Sequence, residues 1–278
     1  MNPETDGVME WTEPRTALLL CGGGSRGAIE IGFYKALLEH GVSSDLIFGS
    51  SIGAINGAFL AAGWTPDELG ALWSRFERKK LFSFNWQLLW HGWKVNSLYR
   101  ADRLASVLES TLPVKRFEEL RIPLVVTATN LQTGQPVYLD SGELIPALLA
   151  SIALPPYLPP VKHGGLHLID GGLVANVPIR EAVARGSQRI FALLCHCSQE
   201  LMRLPHGFLD IHGRAFRIAI EHQMRHDVEH YKESAEIIML EPCLNFPPSI
   251  LKVEQVCSLI QQGYQFAKGQ LASLSWIR

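Results

Sequence analysis

The chain has 278 residues, 47% of them apolar and 19% charged, a composition that buries a sizeable core and excludes disorder as the main state. Its formal net charge of -2 gives no electrostatic case for a nucleic-acid partner. No stretch reaches the ~20 uncharged apolar residues of a membrane span, and the acidic, polar N-terminus lacks the basic and apolar regions of a signal peptide. The sequence therefore reads as cytoplasmic, either free or attached only to a membrane surface. The five cysteines are an odd, scattered set that does not look like a disulfide framework. Cys195-His196-Cys197 lacks the paired C-x-x-C spacing of a structural zinc site and reads as the end of a strand.

In chain order, residues 1–15 form a polar leader. Ala17 to Cys21 is a short apolar run ending in glycines, as a buried parallel strand would be. Gly22-Gly23-Gly24-Ser25-Arg26-Gly27 is a turn, followed by a helix with Ile29, Phe33, Ala36 and Leu37 on one face and Gly41 as its stop. Leu46 to Phe48 is a second strand. Gly49-Ser50-Ser51-Ile52-Gly53 follows it, and then a helix of small residues to Ala62 that can lie close to a sheet. Pro66 opens another helix behind Thr65 as its cap.

Further strands are expected at Leu124 to Ala128, Pro136 to Leu139, Leu166 to Ile169 and Arg189 to Leu194. Helices are expected at Leu144 to Ala150, Ile179 to Arg185, Ile211 to Lys232 and Ser249 to Leu274. Alternation of this kind indicates an α/β sheet covered on both faces. Residues 16–195 read as the chemistry-bearing domain. Residues 196–278 read as a mainly helical extension packed on it.

Gly49-Ser50-Ser51-Ile52-Gly53 has the G-x-S-x-G form of a nucleophile elbow, between a strand and a helix, where a sharp turn lifts the serine above the sheet edge. The helix N-terminus favours the negative charge of a developing alkoxide. The glycine-rich turn at 22–27 can cradle an anion with its backbone N–H groups, and two chemistries use such a cradle. A dinucleotide fold wants an acidic residue at the end of the second strand, roughly 20 residues on. Here the elbow occupies that place, so an oxyanion hole fits better. Asp170-Gly171-Gly172 places a carboxylate at the end of another strand, although taken alone it is also an ordinary turn.

These blocks, with Ala150-Ser151-Ile152-Ala153-Leu154-Pro155-Pro156 and the extension of Asp170-Gly-Gly to Asn176 and Pro178, resemble the ordered signature of patatin-like phospholipases. The resemblance covers about residues 16 to 195. It implies a three-layer α/β/α sandwich with a mostly parallel central sheet, and a serine esterase acting on a lipid or other acyl ester without cofactor or metal. It further implies Ser51 as nucleophile and Asp170 as general base. Gly22, Gly23, Gly24, Ser25, Arg26 and Gly27 would form the oxyanion hole, Gly49, Ser50, Ile52 and Gly53 the elbow, and Gly171 and Gly172 the turn behind the base.

Such a pair needs no histidine. A carboxylate of pKa ~3.9 is a poor base toward a hydroxyl, but desolvation and a direct hydrogen bond to the serine can raise its basicity. The rival is an α/β-hydrolase triad using His196 or His206. That fold places several strands before its elbow strand, and only one precedes it here. A non-catalytic lipid-binding protein on the same fold is the other alternative.

Residues 75–98 combine Arg75, Arg78, Lys79 and Lys80 with Trp86, Leu89, Trp90 and Trp93 at i, i+3, i+4, i+7 spacing. The segment reads either as an interfacial helix or lid that contacts a membrane surface, or as a helix packed on the core. His222, His226 and His230 recur every four residues; without a nearby H-E-x-x-H they read as a polar helix face.

Overall fold

The computed structural model of the chain describes residues 15–75, 81–91, 94–195, 204–243 and 253–274. Strand β1 (Thr16–Leu20) is buried throughout, as its unbroken apolar run requires. It passes through a 3-10 turn (Gly24–Gly27) into α1 (Ala28–Glu39), which ends before Gly41 at φ +72°. Strand β2 (Leu46–Ser50) leads into α2 (Ile52–Ala61), then α3 (Pro66–Arg75). Thr65 caps α3: Glu68 N–H donates to its hydroxyl, while the Glu68 carboxylate accepts from the Thr65 N–H and hydroxyl.

A small hairpin follows, made of β3 (Ser83–Phe84), the single turn α4 (Leu88–His91) and β4 (Tyr99–Arg100). This corrects the expected helix through Trp86, Leu89, Trp90 and Trp93. Trp86 precedes α4 in a turn, Trp93 lies outside the described residues, and antiparallel pairing with Tyr99–Arg100 keeps the preceding backbone extended. Trp86 and Trp90 are 68% and 85% exposed, so neither is packed on the core.

Helix α5 (Asp102–Thr111) precedes β5 (Leu124–Asn130), β6 (Pro136–Leu139), α6 (Leu144–Ser151), β7 (Val161–His163) and β8 (Leu166–Asp170). The short α7 (Gly172–Ala175) and α8 (Ile179–Ala184) lead to β9 (Arg189–Leu193). Helix α9 (Phe208–Tyr231), β10 (Glu236–Leu240) and α10 (Val253–Leu271) complete the chain.

The main sheet runs β10-β9-β1-β2-β5-β8-β7, with β6 also paired to β5. The five strands from β10 to β5 are mutually parallel, and β6, β7 and β8 are attached antiparallel. The fold is thus an α/β sandwich, a mostly parallel sheet flanked by helices. Strand order reverses at β1, whose neighbours β2 and β9 lie on opposite sides, and such a switch point opens a crevice at the strands' C-terminal edge. The glycine-rich turn leaves β1 at that crevice.

Strand β5 sets the position of β8. It pairs with β2 as far as Thr127, opposite Ser50, and with β8 from Ala128, opposite Asp170. Strand β6 overlaps both ranges and so holds the other edge of β5. Strand β8 therefore continues, in the reverse direction, the edge that β2 vacates.

The C-terminal residues enter the same body. Strand β10 extends the sheet beside β9, so the extension is not helical alone. Helix α10 crosses α1 at two glycines. A Cβ on Gly32 would stand 2.0 Å from the Ile260 carbonyl oxygen, and one on Gly263 would stand 2.4 Å from that of Ile29. Contact with α10 on this second side explains why Gly32 is buried as well as the expected face. Cys21, Cys195 and Cys257 are free thiols, and Cys243 is disulfide-bonded.

Replacing Gly263 by Ala should cost about 1–3 kcal/mol, because backbone on the facing helix must move. Thermal unfolding would register it as a drop of several degrees in Tm; an unchanged Tm would mean that the crossing is looser than described.

Candidate active site

The elbow is built by close approach. A Cβ on Gly49 would lie 2.4 Å from Ala54 Cα, and one on Gly53 would lie 2.3 Å from the Leu20 carbonyl oxygen. Glycine at these two positions lets α2 turn back against β1 and β2. Between them Ser51 adopts φ 52°, ψ -124°, the only positive φ among the described non-glycine residues. Such backbone costs of order 1–3 kcal/mol and persists only where the surroundings hold it.

Here the holding group is Ser151. Ser51 N–H donates to Ser151 Oγ at 2.9 Å, and Ser151 Oγ–H donates to the Thr127 carbonyl at 2.6 Å. Ser151 is fully buried, so its hydroxyl has no competing water. Sequence reasoning placed Ser151 in a motif but gave it no task.

Ser51 Oγ–H donates to Asp170 Oδ2 at 2.7 Å. The second carboxylate oxygen accepts Gly172 N–H at 2.7 Å. The Asp170 backbone is fixed by N–H donation to Ala153 O at 3.1 Å, and its carbonyl accepts Thr129 Oγ1–H at 2.8 Å. Gly171 fits because a Cβ there would stand 2.1 Å from the Thr127 carbonyl oxygen. Asp170 is 2% exposed, whereas Ser51 is partly exposed. Burial raises the Asp170 pKa to about 6, against the opposing pull of its hydrogen bonds from Ser51 and Gly172. Among the described residues no imidazole hydrogen-bonds to Ser51 or Asp170. His206 is exposed, and His196 lies outside the described residues.

The glycine-rich turn faces this pair. Gly22 N–H is already taken by Asn176 Oδ1 at 2.8 Å, and Arg26 N–H by the Gly23 carbonyl at 3.2 Å. Two of the six backbone N–H groups expected to form the oxyanion hole are therefore engaged within the protein. Gly24 has φ +58°, and a Cβ on Gly23 would collide with Cys195 Cβ at 2.3 Å. Asn176 is the side chain that ties this turn to the segment after Asp170, a task its place in the motif had not disclosed.

Beneath the turn lies a buried polar network absent from the sequence reading. Glu30 accepts Asn56 Nδ2–H at 2.8 Å and Cys195 Sγ–H at 3.5 Å; Cys195 N–H donates to Cys21 Sγ at 3.1 Å. Asn56 also donates to the Gly27 carbonyl at 2.9 Å and accepts Trp73 Nε1–H at 2.9 Å. Burial raises the Glu30 pKa to about 8, and the Cys21 hydrogen bond with burial raises that of Cys195. Cys21, Glu30 and Cys195 bring their ligand-type atoms within 4.8 Å of one another. A metal there would have to displace the protons of Glu30 and Cys195, both held by raised pKa values. His222, His226 and His230 are exposed on α9, with the last two rings stacked at 6.1 Å.

Among the described residues no helix is long and apolar enough to cross a membrane. The patatin-like phospholipase family model matches residues 18–183. An uncharacterized NTE family protein of Mycobacterium bovis is 34% identical over 168 residues, 60% of this chain and 45% of that protein. Lysophospholipase NTE1 of Saccharomyces cerevisiae is 32% identical over 178 residues, 63% of this chain and 10% of the yeast protein. The match thus spans less than half the length of these relatives. VipD of Legionella pneumophila superposes with a TM-score of 0.52 at 15% identity, covering 94% of this chain and 67% of VipD, a likeness of fold. With the family model matched over more than half its length, the chain belongs to the patatin-like phospholipase family.

Proposed function

We propose that the chain is a lipid acyl hydrolase that cleaves carboxylic esters with Ser51 as nucleophile and Asp170 as proton acceptor. The observation that carries this reading is the 2.7 Å hydrogen bond from a partly exposed serine to a solvent-shielded carboxylate. Family membership and the lysophospholipase activity named for the yeast relative support the substrate class. As Ser51 Oγ bonds to the acyl carbon, its proton passes to Asp170 Oδ2. The N–H groups of Gly23, Gly24 and Ser25 stabilise the oxyanion. Collapse expels the alcohol, which takes the proton from Asp170. Water then attacks the acyl-enzyme with Asp170 again as base, and Ser51 is restored as the free acid leaves.

Burial is what makes the carboxylate serviceable. Raised from 3.8 to about 6, Asp170 is a stronger base than a free carboxylate yet still mostly ionised at neutral pH. Hydrolysis should rise through pH 6 and level off above it, measured as kcat/KM on a soluble ester. A profile already flat from pH 4 upward would contradict a buried base.

A fluorophosphonate probe should label the folded wild type and not Ser51→Ala. Equal labelling of both, or none of either, would reject the catalytic reading and leave the lipid-binding alternative. Product analysis on a panel of phospholipids, lysophospholipids and glycerides would then assign the substrate.

The same burial costs stability. Because its folded pKa exceeds the unfolded value, Asp170 stabilises the fold at low pH and loses that contribution as pH rises from about 3.8 through about 6. Asp170→Asn should therefore be inactive yet more stable at neutral pH, by on the order of 3 kcal/mol at most. Its advantage should vanish near pH 4, as chemical unfolding at the two pH values would show.

The exposed Trp86 and Trp90, beside a cationic stretch, support contact with a membrane surface through residues 75–98. Trp90→Asp should weaken vesicle binding without altering the fold. Unchanged binding would exclude this segment as the contact.

A further inference from the structure

Two of the free cysteines, Cys21 and Cys195, are buried and meet under the glycine-rich turn. Cys21 lies one residue, and Cys195 two residues, past the paired Leu20 and Leu193 of β1 and β9. At ~4.8 Å between strands and ~3.3 Å of rise, that offset sets their Cα atoms about 5.8 Å apart. A disulfide spans this separation. The side chains converge: Cys195 N–H donates to Cys21 Sγ at 3.1 Å, and the two sulfurs lie within 4.8 Å of each other.

Two thiols beside a carboxyl group can bind a metal, transfer an acyl group or be oxidised. A metal would need oxygens on Glu30 that are already engaged, one accepting Asn56 Nδ2–H at 2.8 Å and the other Cys195 Sγ–H at 3.5 Å. Acyl transfer needs room for a substrate, and both cysteines are enclosed. Oxidation needs only a small molecule and a cover that opens. The cover is one layer of backbone: a Cβ on Gly23 would lie 2.3 Å from Cys195 Cβ and 2.8 Å from its sulfur. On the other side of that layer Gly22 and Gly23 are partly exposed, and Gly24 is exposed.

We propose that Cys21 and Cys195 are an oxidation site, at which a peroxide closes an intrachain disulfide that shifts the glycine-rich turn and lowers hydrolysis at Ser51. The Cys21 thiolate attacks hydrogen peroxide, the O–O bond breaks, and hydroxide leaves with the thiol's proton as water. The Cys195 sulfur then attacks the sulfenic sulfur of Cys21. The S–O bond breaks, and the departing hydroxide takes the Cys195 proton as a second water. Two thiols thus lose two electrons and two protons, and peroxide becomes two waters. The Cys21 hydrogen bond and burial hold the Cys195 thiol protonated, which leaves Cys21 to react first.

Closure of the bridge reaches the active site through packing. Bringing the sulfurs into bonding contact takes Cys195 Sγ away from Glu30, while its Cβ has no spare room against Gly23. The turn above must move, and with it the N–H groups assigned to the oxyanion. The effect on rate rests on the hydrolase reading, and the disulfide rests on the thiol geometry alone.

The test exposes the full chain to hydrogen peroxide, maps its disulfides by peptide mass and follows hydrolysis of a soluble short-chain ester. A cross-linked peptide joining Cys21 to Cys195 should appear as activity falls by about tenfold or more, and dithiothreitol should reverse both. Cys257→Ser, which removes the exposed thiol, should remain as sensitive as wild type. Cys21→Ser should hydrolyse the ester with little response to either reagent; if it fails to fold, the wild-type peptide map still decides. Activity lost without this cross-link, or the cross-link with undiminished hydrolysis, would overturn the proposal. So would a folded chain in which peroxide reaches Cys257 alone. A chain inactive before and after peroxide would instead defeat the hydrolase reading, and the cross-link's presence or absence would then decide the oxidation site.

Discussion

Strand β5 offers one edge to two strands in succession: β2 occupies it as far as Thr127, and β8 takes it from Ala128. Ser51 is the first residue past β2, and Asp170 is the last residue of β8. The handover therefore brings together two side chains 119 residues apart, at 2.7 Å. Ser151 sits at the junction and serves all three strands. Its hydroxyl takes the Ser51 N–H and gives its proton to Thr127 O, and its carbonyl accepts Gly171 N–H at 3.3 Å. A backbone at positive φ is tolerable at Ser51 because this junction fixes it from outside the elbow.

Two buried carboxyl groups lie close to the crevice, and burial raises both. Glu30, at about 8, is the stronger base by that measure, and Asp170, at about 6, the weaker. Geometry decides between them before basicity does. Glu30 is enclosed by Asn56, Cys21 and Cys195 under the glycine-rich turn and has no reach to Ser51. Its role is to bind the turn to α2 and β9: Asn56 also holds the Gly27 carbonyl, and Cys195 fills the space that a side chain on Gly23 would need. Asp170 spends one oxygen on Gly172 and aims the other at the serine.

How much of this was legible in the sequence depended on whether the signal was local. Strands β1 and β2, the glycine turn and the elbow are read from apolar runs and glycine placement, because buried parallel strands and tight turns constrain each residue independently. The direction of β8 is not local. Leu166 to Ile169 reads alike in either sense, and only pairing with β5 sets it. The tryptophan segment failed differently. Its spacing satisfied a helix, but cross-strand pairing of Ser83–Phe84 with Tyr99–Arg100 overrode periodicity. Ser151 and Asn176 stood in recognised motifs, yet the atoms they hold are distant in sequence. Glu30 carried no signal, since one acid in a helix is ordinarily solvated.

The segment without a signature braces the site from both ends. Helix α10 crosses α1 at Gly32 and Gly263, and α1 begins at Ala28, directly after the glycine-rich turn. Helix α9 donates from Gln223 to Val174 O, just past the Asp170 turn, and buries Ile220 and Met224 near Asn176 and Val177. The glycine-rich turn and the Asp170 turn therefore each rest on a C-terminal helix through a short path. The family match ends at residue 183, before either helix. The matched residues carry Ser51, Asp170 and the strands that bring them to hydrogen-bonding distance, and the helices that brace the two turns around them come from residues beyond the family match.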